Sequence, residues 1–262
     1  MLRWFFTNQL HLGLVQAATA ALSAIVLVLL ARKRGVHLEK ETAVAMVRGI
    51  VQIVAVGSLL VILLHGPKWT SGFLLTGMIV AAGATSARRA SGLPGAFRIS
   101  TWSIAMGAGS VIAIMTALGV IGSEITSLVP IGSMLIANSM NTNGLALNRF
   151  RADVMAHVGE IESALSLGAP ARNSVAPFVQ SSFEASLIPA IDSLRSLGIV
   201  WIPGLMAGML LSGARPLYAA LYQFVALAMI LTASGLTSLV STLLIRNQIF
   251  TSAEQLIPLA GR

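Results

Sequence analysis

Seven long stretches of this chain hold no charged residue and no histidine: residues 12–31, 49–64, 69–87, 99–123, 125–148, 196–214 and 216–245. A helix that crosses the ~30 Å hydrocarbon layer of a bilayer needs about 20 mostly apolar residues. All but one of the windows meet that need directly. The exception, 49–64, meets it when extended back to about Val44, with Arg48 snorkelling its charge to the interface. The windows are continuously apolar and not alternating, which sets aside barrel strands. Composition points the same way. Charged residues make up 10% of the 262 residues, against about a quarter in soluble domains. So few charges cannot cover a soluble globule in which 56% of residues are hydrophobic. The expected fold is an all-α integral membrane protein with about seven transmembrane helices, forming a single transmembrane domain over 1–262.

The few charges give orientation. With seven spans, one side collects Arg32, Lys33, Arg34, Lys40, Arg48, Arg88, Arg89, Arg98, Arg149, Arg151, Arg172, Arg195, Arg246 and Arg262, and the other only Arg3, Lys68 and Arg215. Lys and Arg gather on the cytoplasmic side, so the N-terminus is expected outside and the C-terminus in the cytoplasm. The net charge of +8 is then topology and not a nucleic-acid footprint. A multi-pass protein of the cell (inner) membrane follows, with the lipid bilayer as its first partner. The first window is long and shows no small-residue cleavage site, so it reads as a retained span. Cysteine is absent, which excludes disulfides and thiolate chemistry.

Residues 149–195 carry nine of the chain's charges (Arg149, Arg151, Asp153, Glu160, Glu162, Arg172, Glu184, Asp192, Arg195) and are expected to be a cytoplasmic segment. Val154, Val158, Ile161 and Leu165 mark one helical face up to a stop at Gly168. A second helix entering through Pro177 carries a stripe of Val175, Phe178, Val179, Phe183, Leu187 and Ile191, flanked by Ser182, Ser186 and Ala190. Gln180 and Glu184 face away, and Pro189 is expected to bend or end it.

The run Glu162-Ser163-Ala164-Leu165-Ser166-Leu167-Gly168 resembles the E-[AS]-A-x-x-x-G loop by which ABC-transporter permeases dock on their ATPase. Asn138-Ser139-Met140-Asn141, Leu187-Ile188-Pro189-Ala190-Ile191-Asp192-Ser193, Gly198 through Gly208 and Tyr222-Gln223 extend the likeness. In order and spacing they resemble the permease subunits of bacterial iron-exporting ABC transporters, a family with plant relatives linked to aluminium tolerance. Three positions depart from the family wording: Ile202-Pro203-Gly204-Leu205-Met206 stands for Leu-Pro-Gly-Met-Met, and Met209 for a polar residue. The resemblance implies a permease that exports iron or another metal ion. It implies an ATPase-coupling role for Glu160, Glu162, Ala164, Gly168 and Ala169, a cytoplasmic ABC ATPase partner, and a homodimer of permeases. The sequence has no G-x-x-x-x-G-K-[ST]. The chain is therefore expected to be no enzyme and to bind no cofactor directly, with ATP used by the partner.

Polar groups inside a bilayer need partners or water. Asn138, Asn141 and Asn143 in the fifth window can line a hydrated path or bond between helices. Met140, Met206 and Met209 can offer thioethers or fill the core. Pro203-Gly204 predicts a kink or break, a common mark of transport routes. Gln223 joins these as a path candidate or as a cap on a neighbouring helix. Gly204-x-x-x-Gly208 allows close helix approach, within one bundle or between two copies. No His/Asp/Glu spacing defines a metal site. His37 and Glu41, four apart, read as a solvated face. The rival reading is an ion-coupled secondary transporter of a small solute, which commonly keeps an ionisable relay in its spans.

Overall fold

The computed structural model describes residues 9–33, 39–64, 69–251 and 253–259. Among them the elements are helical, with β pairing confined to the isolated bridges Leu197–Trp201 and Phe250–Leu256. The chain divides into two units, Met1–Gly66 and Pro67–Arg262.

The first unit holds α1 (Gln9–Lys33) and α2 (Glu39–Leu64). Both expose aliphatic side chains along their length, Leu27, Val47, Ile53 and Val54 among them. A helix apolar all round belongs against lipid or protein and not water. The second helix is described from Glu39, and Arg32 Nε lies 3.4 Å from the carboxylate of that residue.

The second unit comprises α3 (Thr70–Arg89), α4 (Ala96–Ile104), a π-turn (Ala105–Gly109), α5 (Ser110–Ala117), α6 (Ile125–Ala156), α7 (Val158–Ser166), α8 (Ala171–Ser174), α9 (Ala176–Ser196), α10 (Gly204–Leu211) and α11 (Pro216–Gln248). Among the described residues, α3, the continuous Ala96–Ala117 run and α11 are long and apolar enough to cross a membrane. Val15–Leu30 and Thr42–Ser58 are shorter apolar stretches. At 1.5 Å per residue, α6 with its 32 residues is about 48 Å long. That exceeds any bilayer core, so the fifth window and the first charged residues after it form one rod.

Helices α6 and α11 are the central pair, and α3, α4 and α9 pack against them. One apolar cluster joins Ile104, Leu135, Ile136, Leu227 and Ile230. A second, at the other end, joins Leu147, Phe150, Val154, Ile161, Val175 and Ile245. In lipid, burial of apolar area drives little, and close approach over small residues matters more. The π-turn shows this. A Cβ on Gly107 would lie 2.6 Å from the Thr237 nitrogen and 2.7 Å from the Ala233 carbonyl. The facing side of α11 is a fully buried Ser/Thr seam of Ser234, Thr237, Ser238, Ser241 and Thr242. Ser241 and Thr242 return their hydroxyls to the Ser238 carbonyl at 3.0 and 2.8 Å, which keeps that part of the seam narrow.

Four sequence expectations change. Beyond Ser196, the end of α9, only Gly204–Leu211 of window 196–214 is helical, about 12 Å of rise. Gly198 and Gly213 sit at positive φ (76° and 88°), and Pro203 caps α10 without an N–H to continue the preceding helix. Pro189 does not end its helix but sits inside α9. The packing face of α9 is its small residues, Ser182 and Ser186, while Phe183, Leu187 and Ile191 are only half-buried. Ser186 Oγ lies 2.7 Å from Ser238 Oγ on α11, a contact only small side chains permit. Finally, residues 149–156 continue α6, and the backbone breaks at His157 (φ −121°) before α7.

Candidate functional site

A cavity of about 280 Å³ opens between α6, α9, the 197–203 segment, α10 and α11. Met134, Asn138, Asn141, Thr142 and Leu145 come from α6, Pro189, Ala190 and Ser193 from α9, and Gln223, Leu227 and Ile230 from α11. Trp201, Pro203, Gly204 and Leu205 close it along the break. The lining carries amides, hydroxyls, one thioether and an indole, and no charged side chain. Asn138 Nδ2 donates to the Met134 carbonyl one turn back (2.8 Å). Gln223 is buried, and its Oε1 accepts from the Met206 N–H at 3.2 Å. That N–H is an orphan donor in the first turn of α10, so Gln223 pins the upper half of the broken helix to α11. Trp201 Nε1 donates to Ser196 Oγ at 3.1 Å, which holds the 197–203 segment against the end of α9.

A second cavity, also about 280 Å³, lies farther along α6, lined by Arg89, Gly144, Leu145, Asn148 and Arg151. Arg89 joins the two: its Nη1 donates to Asn141 Oδ1 at 3.1 Å. Met134, Asn138, Asn141, Leu145, Asn148 and Arg151 recur every three or four residues, so they form one continuous stripe on α6. Both cavities open along it.

The path candidates separate by face. Asn138, Asn141, Pro203, Gly204 and Gln223 line the first cavity. Asn143, two residues from Asn141 and so on another face, is fully buried and donates to Ser86 Oγ (2.7 Å) and Ser100 Oγ (2.9 Å). It ties α6 to α3 and α4. Met140 packs against the first apolar cluster, and Met206 and Met209 lie outside the lining. Ser193, Trp201 and Arg89 were missed by sequence reasoning. Trp201 sits inside a motif already singled out, but nothing in the sequence places it opposite Asn138. Among the described residues no group of three His, Cys, Asp or Glu could hold a metal ion. His37 and His65 lie outside the described residues.

The coupling candidates sit on an exposed turn. The Gly168 N–H donates to the Leu165 carbonyl (2.9 Å) and the Ala169 N–H to the Ala164 carbonyl (3.0 Å). With Gly168 at φ 84° this is a Schellman cap, which needs the left-handed conformation glycine tolerates. Leu167 at its tip is 89% exposed. Glu162, Gly168 and Ala169 line a surface groove with Glu254 and Leu256 of the chain's last described segment, and Glu160 is exposed nearby. The turn is strung between two long helices. At its start, Asp153 on α6 bonds Arg149 at 3.1 Å and Ser181 on α9 at 3.3 Å. There His157 stacks on Phe178, centroids 4.9 Å apart.

Apolar helices too long and too exposed for water, packed beside an uncharged and mostly apolar cavity with a few amides and hydroxyls, define a polytopic α-helical membrane protein. The family can be given more closely. Residues 14–250 match the uncharacterised protein family UPF0014, and the chain belongs to it. It is 31% identical to UPF0014 membrane protein STAR2 of Oryza sativa subsp. japonica, over 96% of this chain and 88% of that one. It is 30% identical to Protein ALUMINUM SENSITIVE 3 of Arabidopsis thaliana, over 93% and 90%. It is 29% identical to the probable iron export permease protein FetB of Escherichia coli K12, over 92% and 93%. No solved structure matches the chain.

Proposed function

We propose that the chain is the permease subunit of an ABC transporter in the cell (inner) membrane, exporting iron or another metal ion while a separate cytoplasmic ATPase subunit hydrolyses the ATP. The observation that carries this reading is mechanical. Helices α6 and α9 line the first cavity, and the same two helices hold the Gly168 turn between their other ends. A rigid-body push on that turn therefore reaches the cavity walls directly. The printed name of the Escherichia coli relative supports the cargo.

In this reading α9, the 197–203 break and α10 together make the sixth of seven crossings, with the N-terminus outside and the C-terminus in the cytoplasm. The cytoplasmic coupling element narrows to about residues 157–175. The permease works as a homodimer, binds no cofactor of its own and catalyses no reaction. An ion-coupled secondary transporter commonly keeps an ionisable relay, and the first cavity is lined by amides, hydroxyls and apolar groups, which favours the ATP-driven reading.

The test is reconstitution with an ABC ATPase subunit that co-purifies with the chain. ATP-driven metal movement across proteoliposomes is expected, abolished by Gly168→Pro while the permease still folds. Full transport by that variant, or metal movement independent of ATP, refutes the reading.

A further inference from the structure

We propose that the second cavity is an oxyanion site: the cargo reaches the Asn138–Gln223 cavity led by a carboxylate or phosphate group, and not as a bare metal cation. The inference rests on the transport reading above and names the chemistry of what is carried.

The lining of that cavity is two guanidinium groups, one amide, a leucine and a glycine, with no carboxylate among them. Arg151 is 8% exposed and has partners within the protein, so it lines the cavity but is not the open fork. The guanidinium of Arg89 is the one presented to a ligand, and such a fork suits a bidentate oxyanion better than a divalent cation. Arg89 is the exposed member of the pair, at the C-terminal end of α3. Glycine at 144 gives its side chain room where it crosses α6. A Cβ there would lie 3.2 Å from Arg89 Cδ and 3.7 Å from its Nη1.

Arginine has five N–H donors, and the hydrogen bond given to Asn141 uses one of them. The others can meet a ligand. An oxyanion held by Arg89 then stands about one helical turn from Asn141 and two from Asn138 on the same stripe of α6. The oxyanion and Asn141 Oδ1 then share one guanidinium, so the two cavities are linked through Arg89. A metal that travels this way goes as an anionic chelate.

A lipid headgroup phosphate shares this chemistry, so the experiment separates the sources. The purified full chain in phosphatidylcholine nanodiscs is titrated calorimetrically with citrate, with pyrophosphate and with Fe²⁺ alone. Saturable binding of citrate or pyrophosphate is expected, weakening with added salt and at least ten-fold in Arg89→Gln, an exposed position that leaves the fold intact. Gly144→Ala keeps both charges but crowds Arg89, and a smaller loss of affinity is expected. No anion binding overturns the proposal, as do equal affinities in Arg89→Gln or saturable binding of Fe²⁺ alone. Phosphatidylglycerol retained by the wild type and lost from Arg89→Gln, with neither soluble anion bound, assigns the site to lipid and overturns it as well. The transport reading fails separately. Anion binding as expected with normal transport by Gly168→Pro sinks the ATPase coupling alone. ATP-driven movement of uncomplexed Fe²⁺, unchanged in Arg89→Gln, sinks the oxyanion site alone.

Discussion

Substituting Gly107 by alanine tests whether the π-turn is a packing device. The added Cβ would stand 2.6 Å from the Thr237 nitrogen and 2.7 Å from the Ala233 carbonyl, both backbone atoms that no rotamer change can move. Ordinary contact begins near 3.4 Å, so α11 must retreat by about 0.8 Å at this point. A gap of 0.5–1 Å forfeits roughly a quarter to a half of each dispersion contact it opens. The separated face includes Ala233, Ser234, Thr237 and Ser238, all fully buried. Overpacking costs typically 1–3 kcal/mol, and a backbone obstacle puts this case at about 3. For a chain of this size that corresponds to a fall in Tm of about 6–12 °C. The assay is thermal unfolding in nanodiscs, with Gly235→Ala as the control. That glycine lies on α11 with no atom within 4 Å of a built Cβ, so no fall in Tm is expected. A Gly107→Ala melt within about 2 °C of wild type would refute the reasoning.

Other outcomes follow from the cavity and the turn. Asn143→Leu removes both donations to Ser86 and Ser100 and is expected to lower stability by about 1–3 kcal/mol. Asn141→Leu is expected to leave the melting temperature near wild type and to weaken transport, a contrast read by unfolding and flux on the same preparations. Gln223→Leu strips the cap from the Met206 N–H and is expected to raise hydrogen exchange across Gly204–Leu211, with α11 unchanged. Gly168→Asn keeps a residue that tolerates the left-handed region and is expected to retain most coupled ATPase activity. Gly168→Pro, which loses the N–H donated to Leu165, is expected to lose it.

The apolar windows located most helices, because continuous apolar length is a strong signal that survives without knowledge of neighbours. Where charges fell, the rule was silent on packing. Cutting at Glu184, Asp192 and Arg195 left α9 out of the windows, yet its Pro189, Ala190 and Ser193 line the cavity beside α6 and α11. The charges themselves look outward, and Arg195 pairs with Asp192 at 3.6 Å on an exposed surface. Serine at 182 and 186 was the available sign of close packing, but a stripe of Phe183, Leu187 and Ile191 outweighed it. Asn141 and Asn143 show the finer limit. Their side-chain chemistry is identical, and only the neighbours of each helix face decide that one lines a cavity and the other locks three helices together. Trp201, Asn138 and Gln223 meet across long sequence separations, a juxtaposition no local pattern encodes.

The broken helix has a consequence for how the protein is made. On the proposed topology α9 is part of a membrane crossing, yet it carries Glu184, Asp192 and Arg195. Each such residue costs about 2.5–3.5 kcal/mol near the centre of an inserting helix. The insertion machinery would not release α9 into lipid by itself. Its berth is the Ser186–Ser238 contact, and Ser238 is synthesised some fifty residues later. The sixth crossing is then the last to be completed, and the order of translation differs from the order of assembly. A chain truncated at Ala214 should leave Leu211–Gly213 on the cytoplasmic side, where a glycosylation tag stays unmodified. The full-length chain should carry the same tag across.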